Sequence, residues 1–529
     1  MSSDAAPELR APLALRAAPE LHTPLALGHA DSRIAVRAES WAHIQRARAI
    51  LDDAAASGQA VYGLTTGLGS NIAMRTDPAT HDDEWATLVG RTISIGDPLA
   101  PRVTRRALAL RIAAATRGTA GLSRSVIAHL VDAYNAGIHP VVPGVGSIGD
   151  GDLGPSAWLA ATVLGHGACC DADGGGRVDA GAWLRDRGLT VPRLAAKDAL
   201  ALFGTNCVAL AEATDLWAET EAWWALAPIV AVASCDAYGT HPQVWGDTVA
   251  SLGGARGAAE AAAHLRAWYE GSWVHAAAAS GTLAPQGPLS SRTLGPLCAA
   301  VDGAIAAARD ALVRELGAAP DNPAVLLSEG RVSSTANFHP IALAISVDAV
   351  GIAVAHWANA SAQRILRLVN SPLEGLPRFL ADDPARGAAR GAAAGARVGL
   401  NALLKAVAAT AATVRGAADP ATLDAVVLSE GSEDVSTQLP LALHQHRRRM
   451  IAARHLLALE AVVARHAMAL RRRDAAAAPS RATVRLDELL AAQPAIVAHG
   501  TSPGAAVNAA IAALDALIAP PLEPLTAEV

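Results

Sequence analysis

The sequence predicts a mainly α-helical protein organised around a central bundle of long helices. Three observations carry this. Leu441–Arg473 runs without a single glycine or proline and is longer than an ordinary globular helix. Pro340–Leu368 is a second long apolar stretch, interrupted only by Gly351. Period-two alternation, the mark of a half-buried strand, is scarce throughout. Helices of such length bury their apolar stripes against one another.

The elements follow in order. "APELRAPLAL" from Ala6 and its near-copy "APELHTPLAL", ending at Leu27, are read as an extended, partly mobile arm; prolines and charges interrupt any signal-peptide core. Thr104–Arg117 is expected to be a short helix of mixed face. The arginines of Leu441–Arg473 are expected to face solvent or a neighbouring subunit. Four segments result: an arm (1–35), an N-terminal active-site domain (36–200), the long-helix bundle (201–475) and a C-terminal helical segment (476–529).

Composition narrows the classes of function. Of 529 residues 52% are hydrophobic and 17% charged, which excludes disorder and allows a large core. The net charge of −6 gives no electrostatic case for nucleic acid or an anionic membrane. No apolar run is read as long enough to span a bilayer, because Arg, Asp, His or Gly recurs in each. The five cysteines lack ligand spacing, so no metal is expected; they read as small buried hydrophobes in a reducing cytoplasm.

Glycine, proline and polar residues concentrate in particular loops, where chemistry resides in a helical scaffold. These are "VYGLTTGLGS" (Val61–Ser70), "GSIGDGDLGPSAWLA" from Gly146, "KDALALFGTN" (Lys197–Asn206), "QGPLSSR" (Gln286–Arg292), "DNPAVLLSEGRVSSTANFHP" (Asp321–Pro340) and "EGSEDVS" (Glu430–Ser436). In this order, from about Ser40 to Arg473, they resemble the aromatic amino acid ammonia-lyases, the histidine and phenylalanine ammonia-lyase family. The resemblance implies a fumarase/aspartase-like helical architecture, a homotetramer and active sites built from loops of three subunits.

The same resemblance exposes departures. The family's Ala-Ser-Gly cyclises and dehydrates to an electrophilic methylidene-imidazolone (MIO), and the serine hydroxyl is what leaves as water. Here Gly149-Asp150-Gly151 precedes Asp152-Leu153, one residue shorter and without that serine; Ser147 lies upstream and lacks the required neighbours. No MIO is therefore expected, and no other cofactor. The family's second active-site tyrosine is replaced by Leu289, and its site asparagine is gone unless Asn206 substitutes from a shifted position.

Several candidate residues remain. Tyr62, in the retained Tyr-Gly-x-x-Thr-Gly loop, resembles the family's base; a phenol serves so only with its pKa lowered, and the plain alternative is a loop anchor. Arg292 resembles the residue that grips the substrate carboxylate with a bidentate fork, against an intersubunit ion pair. Gln286 and Leu289 belong to the same segment. Asn337 is assigned to the carboxylate or a backbone group, and Phe338 to packing beneath the electrophile's usual place. Glu433 matches an acid on the amine side, against a helix-start carboxylate. Asp152 is read as structural. Asp150 is an acid, a base or a partner for a cationic substrate, or simply part of an Asp-Gly turn.

The expected function is an MIO-independent, lyase-like enzyme on a small amino-acid-like carboxylate. Tyr62 would abstract a proton, leading to elimination, addition or cyclisation. The alternatives are a conventional ammonia-lyase that tolerates these changes and a non-catalytic binding or scaffold homologue.

Overall fold

The computed structural model describes residues 19–76, 84–370, 373, 375–381, 399–423, 426–473, 477–493, 502–518 and 525–529. Helices dominate; among the described residues the strands form two-stranded ribbons, one of which pairs Arg33–Ala35 in parallel with Thr526–Glu528 near the other end of the chain.

The second copy of the N-terminal repeat corrects the expectation of an extended arm. Pro19–Ala26 is a helix, and its Leu21 and Leu25 are buried in the main core. The first copy lies outside the described residues. Helix α1 (Pro101–Ala115) begins three residues before the expected start, because Pro101 occupies a first-turn position where a missing N–H is not needed. Its Arg105 and Arg106 are fully buried. Arg106 pairs with Asp215 at 2.6 Å and donates to the Pro24 carbonyl, tying the N-terminal helix to the bundle.

Five further helices form the bundle: α2 (Cys207–Tyr238), α3 (Leu294–Gly317), α4 (Ile341–Asn370), α5 (Leu404–Gly416) and α6 (Leu439–Arg471). Helix α6 packs along both α2 and α4, with α3 and α5 on the flanks of α4. Helices α2 and α6 are buried on most sides, so neither has a single apolar stripe. Each fully buried large apolar side chain contributes about 1.5–3 kcal/mol relative to exposure.

Of the arginines of Leu441–Arg473, Arg448, Arg472 and Arg473 are exposed as expected, whereas Arg449 and Arg471 are buried, contrary to the solvent-facing expectation. Arg449 is fully buried and bonds the Ala417 carbonyl and His446 Nδ1. Its guanidinium lies over Gly351 of α4, where a Cβ would collide with it. Gly351 is therefore the space for a charged group, and the helix passes through it unbroken.

By length and composition α4 could cross a membrane, contrary to the sequence reading. Here its Leu343, Val347, Val354 and Ile365 are in the bundle core, and its Arg364 pairs with Glu460 of α6 through Nε–Oε1 at 2.6 Å and Nη2–Oε2 at 3.0 Å.

Candidate active site

The acidic loop lies between a short strand, Pro143–Val145, and the helix Leu153–Val163. It is pinned on several sides. Ile148 accepts the Gln438 amide at 2.9 Å, and the Gly149 carbonyl accepts the Thr437 hydroxyl at 2.9 Å. Gly149 has φ +94°, and any side chain there would strike Thr437, so both conformation and space demand glycine. Ser147 Oγ donates to Asp152 and accepts the Gly149 amide, so this hydroxyl is engaged within the loop.

Asn206, just before α2, spans the loop from the other side. Its Oδ1 accepts the Gly151 amide at 2.8 Å, and its Nδ2 donates to the Phe338 carbonyl at 2.7 Å. The side chain is buried, and this arrangement makes it a strut between the acidic loop and the Asn337-Phe338-His339 segment.

At the loop apex Asp150 Oδ1 lies 2.6 Å from His339 Nδ1. The Asp150 side chain is 10% exposed and that of His339 29%. Asp150 Oδ2 is buried without a hydrogen bond. Burial raises the Asp150 pKa and the nearby Glu433 carboxylate adds to this, while His339 and the Thr437 amide oppose it. Asp152 is fully buried and accepts from Ser147 and from the Ala209 amide; burial pushes its pKa up to about 6.

Glu433 lies within electrostatic reach of Asp150, and the turn that follows Tyr62 packs against the turn that precedes Glu433. Tyr62 Oη accepts the Gly69 amide at 3.0 Å. The Gly69–Asn71 turn packs against Ser429–Gly431, and Ser429 Oγ donates to Glu433 Oε2 at 3.1 Å. Arg91 lies within electrostatic reach of Tyr62; burial lowers its pKa, and Tyr62 offsets part of that. Among the described residues no group of three His, Cys, Asp or Glu side chains converges as a metal site.

The candidate residues thus divide. Asp150, Asn206, Phe338 and Glu433 gather around one loop, with the Tyr62 turn against the Glu433 turn. Asn337 is exposed beside them. Arg292, Gln286 and Leu289 stand elsewhere. Leu289–Arg292 is a short helix entering α3, and the Ser290 carbonyl accepts from Arg364. Arg364 lies about 35 Å along α4 from Ile341, at roughly 1.5 Å per residue. Gln286 and Leu289 are exposed; Arg292 is half-buried with its Nε lacking a partner. One chain therefore does not bring Arg292 to Tyr62.

Sequence reasoning missed the pairing of His339 with Asp150. The signal was its place beside Asn337-Phe338, but its partner is 189 positions away.

Comparison with known proteins identifies the family and the fold. A family model for aromatic amino acid lyases matches residues 20–491. Histidine ammonia-lyase of Geobacillus thermodenitrificans is 34% identical over 446 residues, covering 81% of this chain and 84% of that protein. Histidine ammonia-lyase of Anaeromyxobacter dehalogenans is 31% identical over 450 residues, covering 83% and 86%. Among solved structures, the ergothioneine-degrading ergothionase of Treponema denticola matches with a TM-score of 0.83 at 22% identity over 95% of this chain and 98% of that one. Histidine ammonia-lyase of Trypanosoma cruzi matches at 0.80 and 23%, over 94% and 91%.

Proposed function

The chain belongs to the aromatic amino acid lyase family, and from that premise we propose that it is a lyase working without an MIO group on a small amino-acid-like carboxylate. The observation that carries the proposal is the loop apex. Gly149-Asp150-Gly151 offers no serine to dehydrate, the nearby Ser147 hydroxyl is held by Asp152 and the Gly149 amide, and a carboxylate paired with His339 stands at the apex. These residues do not fit the group.

In this reading Tyr62 takes the proton beside the leaving group. The C–H electron pair forms the carbon–carbon double bond, and the leaving group departs with its own bonding pair. Glu433 and the Asp150–His339 pair line the amine side. The carboxylate is gripped by Arg292 of a neighbouring subunit, because Arg292 and Tyr62 stand far apart within one chain. A homotetramer bundled through the long helices provides that neighbour. Elimination without a strong electrophile suits an acidic proton, or a leaving group better than ammonia. An ergothioneine-degrading enzyme shares this fold, so the fold itself accommodates a substrate beyond the ordinary amino acids.

The test is the mass of the purified chain, combined with turnover of aromatic and imidazole α-amino acids and their N-alkylated derivatives. An unmodified peptide across Gly146–Pro155 with product formation is expected. A loss of one water localised there, with ammonia released from histidine, would instead make the protein a conventional ammonia-lyase like its curated relatives. A monomer in sedimentation at micromolar concentration would remove the shared site.

A further inference from the structure

Resting on that elimination reading, we propose that His339 is a second catalytic residue, the acid that protonates the departing nitrogen, with Asp150 as the residue that positions it.

The geometry supplies each part. His339 follows the Asn337-Phe338 segment and immediately precedes Pro340 and helix α4, so its backbone is set by a long rigid element. The Phe338 carbonyl is held by Asn206, which also holds the Gly151 amide, so one amide side chain fixes the spacing of the two segments bearing His339 and Asp150. Asp150 Oδ1 engages Nδ1, which leaves Nε2 as the nitrogen able to exchange a proton with a ligand. The imidazole is 29% exposed whereas the carboxylate is 10% exposed, so His339 is the accessible member. The acidic groups facing Asp150 are Glu433 and Asp152.

The step balances for a neutral amine. The Tyr62 phenolate takes the proton from carbon, and that C–H pair becomes the double bond. The C–N bond breaks with its pair on nitrogen. Imidazolium Nε2 gives its proton to that nitrogen, which departs as free amine, leaving neutral His339 and a phenol. Acid assistance of this kind does for the leaving group what an electrophile would otherwise do.

A leaving group that needs no proton separates this role from a structural one. Each α-amino acid turned over is compared with its N-trimethyl betaine, which departs as neutral trimethylamine. With His339→Asn, turnover of the amino acid is expected to fall about 10²–10⁴-fold. Turnover of the betaine is expected to fall less than about tenfold, and added imidazole should restore part of the loss. Asp150→Asn should show the same split with a smaller loss, because it acts through His339. Retained betaine turnover certifies that the variant is folded. Equal losses on both substrates, or no loss on either, overturn the acid role while leaving elimination intact. A wild-type chain that turns over neither class overturns the elimination reading, and this inference with it.

Discussion

Two acid–base pairs stand at helix α4, and they are built differently. Arg364–Glu460, far along the helix, is closed. Both carboxylate oxygens and three guanidinium nitrogens are bonded, Ser361 adds a hydroxyl at 2.5 Å, and the side chains are 3% and 1% exposed. Asp150–His339, just before the helix begins, is open. It has one strong contact, an unbonded buried Oδ2 and a histidine nearly a third exposed. A saturated pair has no capacity left for a ligand and serves to hold helices in register. An unsaturated pair at a pinned loop keeps capacity for a proton or a substrate.

The largest expected effect lies on the open side. Tyr62→Phe should lower turnover about 10²–10⁴-fold with substrate binding nearly unchanged, since the hydroxyl works in proton transfer. Rapid-quench turnover and equilibrium binding check this. Parent-like turnover would reduce Tyr62 to an anchor for its own loop through the Gly69 amide.

On the closed side the effect is on stability. Glu460→Ala should cost about 3–5 kcal/mol, because it strands a buried guanidinium. Asp150→Asn should cost no more than roughly 1–2 kcal/mol, because a neutral acceptor remains for His339. Denaturant titration of both variants tests the contrast, and equal losses would erase it.

Third comes the residue outside both pairs. Arg292→Lys should weaken substrate binding about tenfold or more with turnover at saturation nearly retained, since an ammonium cannot reproduce the planar fork. At subsaturating substrate, mixing this variant with Tyr62→Phe should give a fraction of sites with parent-like activity, provided the two residues come from different subunits. Absence of complementation would place them in the same subunit's site.

The sequence was informative where local chemistry decides structure. Glycine and proline punctuation located the loops, and the glycine-free stretch from Leu441 found α6 to within two residues at each end. It was uninformative where two distant segments decide jointly. The burial of Arg449 depends on the absence of a side chain at Gly351, and the burial of Leu21 depends on α2. Loop composition showed a peculiar Asp150 and a histidine beside Asn337-Phe338. Their pairing is a product of tertiary structure that neither motif encodes alone. The Arg292 segment was recognisable by its motif, yet its distance from Tyr62 follows only from the length of α4.

The smallest effect concerns the residue beneath the open pair. Asp152 has an ordinary pKa of 3.8 and is raised to about 6 in the folded chain by burial. Between those values the native state holds a proton that the unfolded chain releases. Stability must therefore fall as pH rises from about 4 to about 6, by no more than about 3 kcal/mol at ~1.4 kcal/mol per pK unit. Glu212, raised to about 7 by burial, adds a similar slope at somewhat higher pH, so the parent alone cannot isolate Asp152. The comparison is with Asp152→Asn, which is neutral throughout. It keeps an acceptor for one of Ser147 and Ala209 and loses the other, for about 1 kcal/mol at low pH. Melting temperatures across pH 4–6 should show the variant less stable at the acid end and the gap narrowing or reversing as pH rises. Parallel curves would mean that the bonds from Ser147 and Ala209 already offset the burial of the charge, making the floor of the site as closed electrostatically as the Arg364–Glu460 pair.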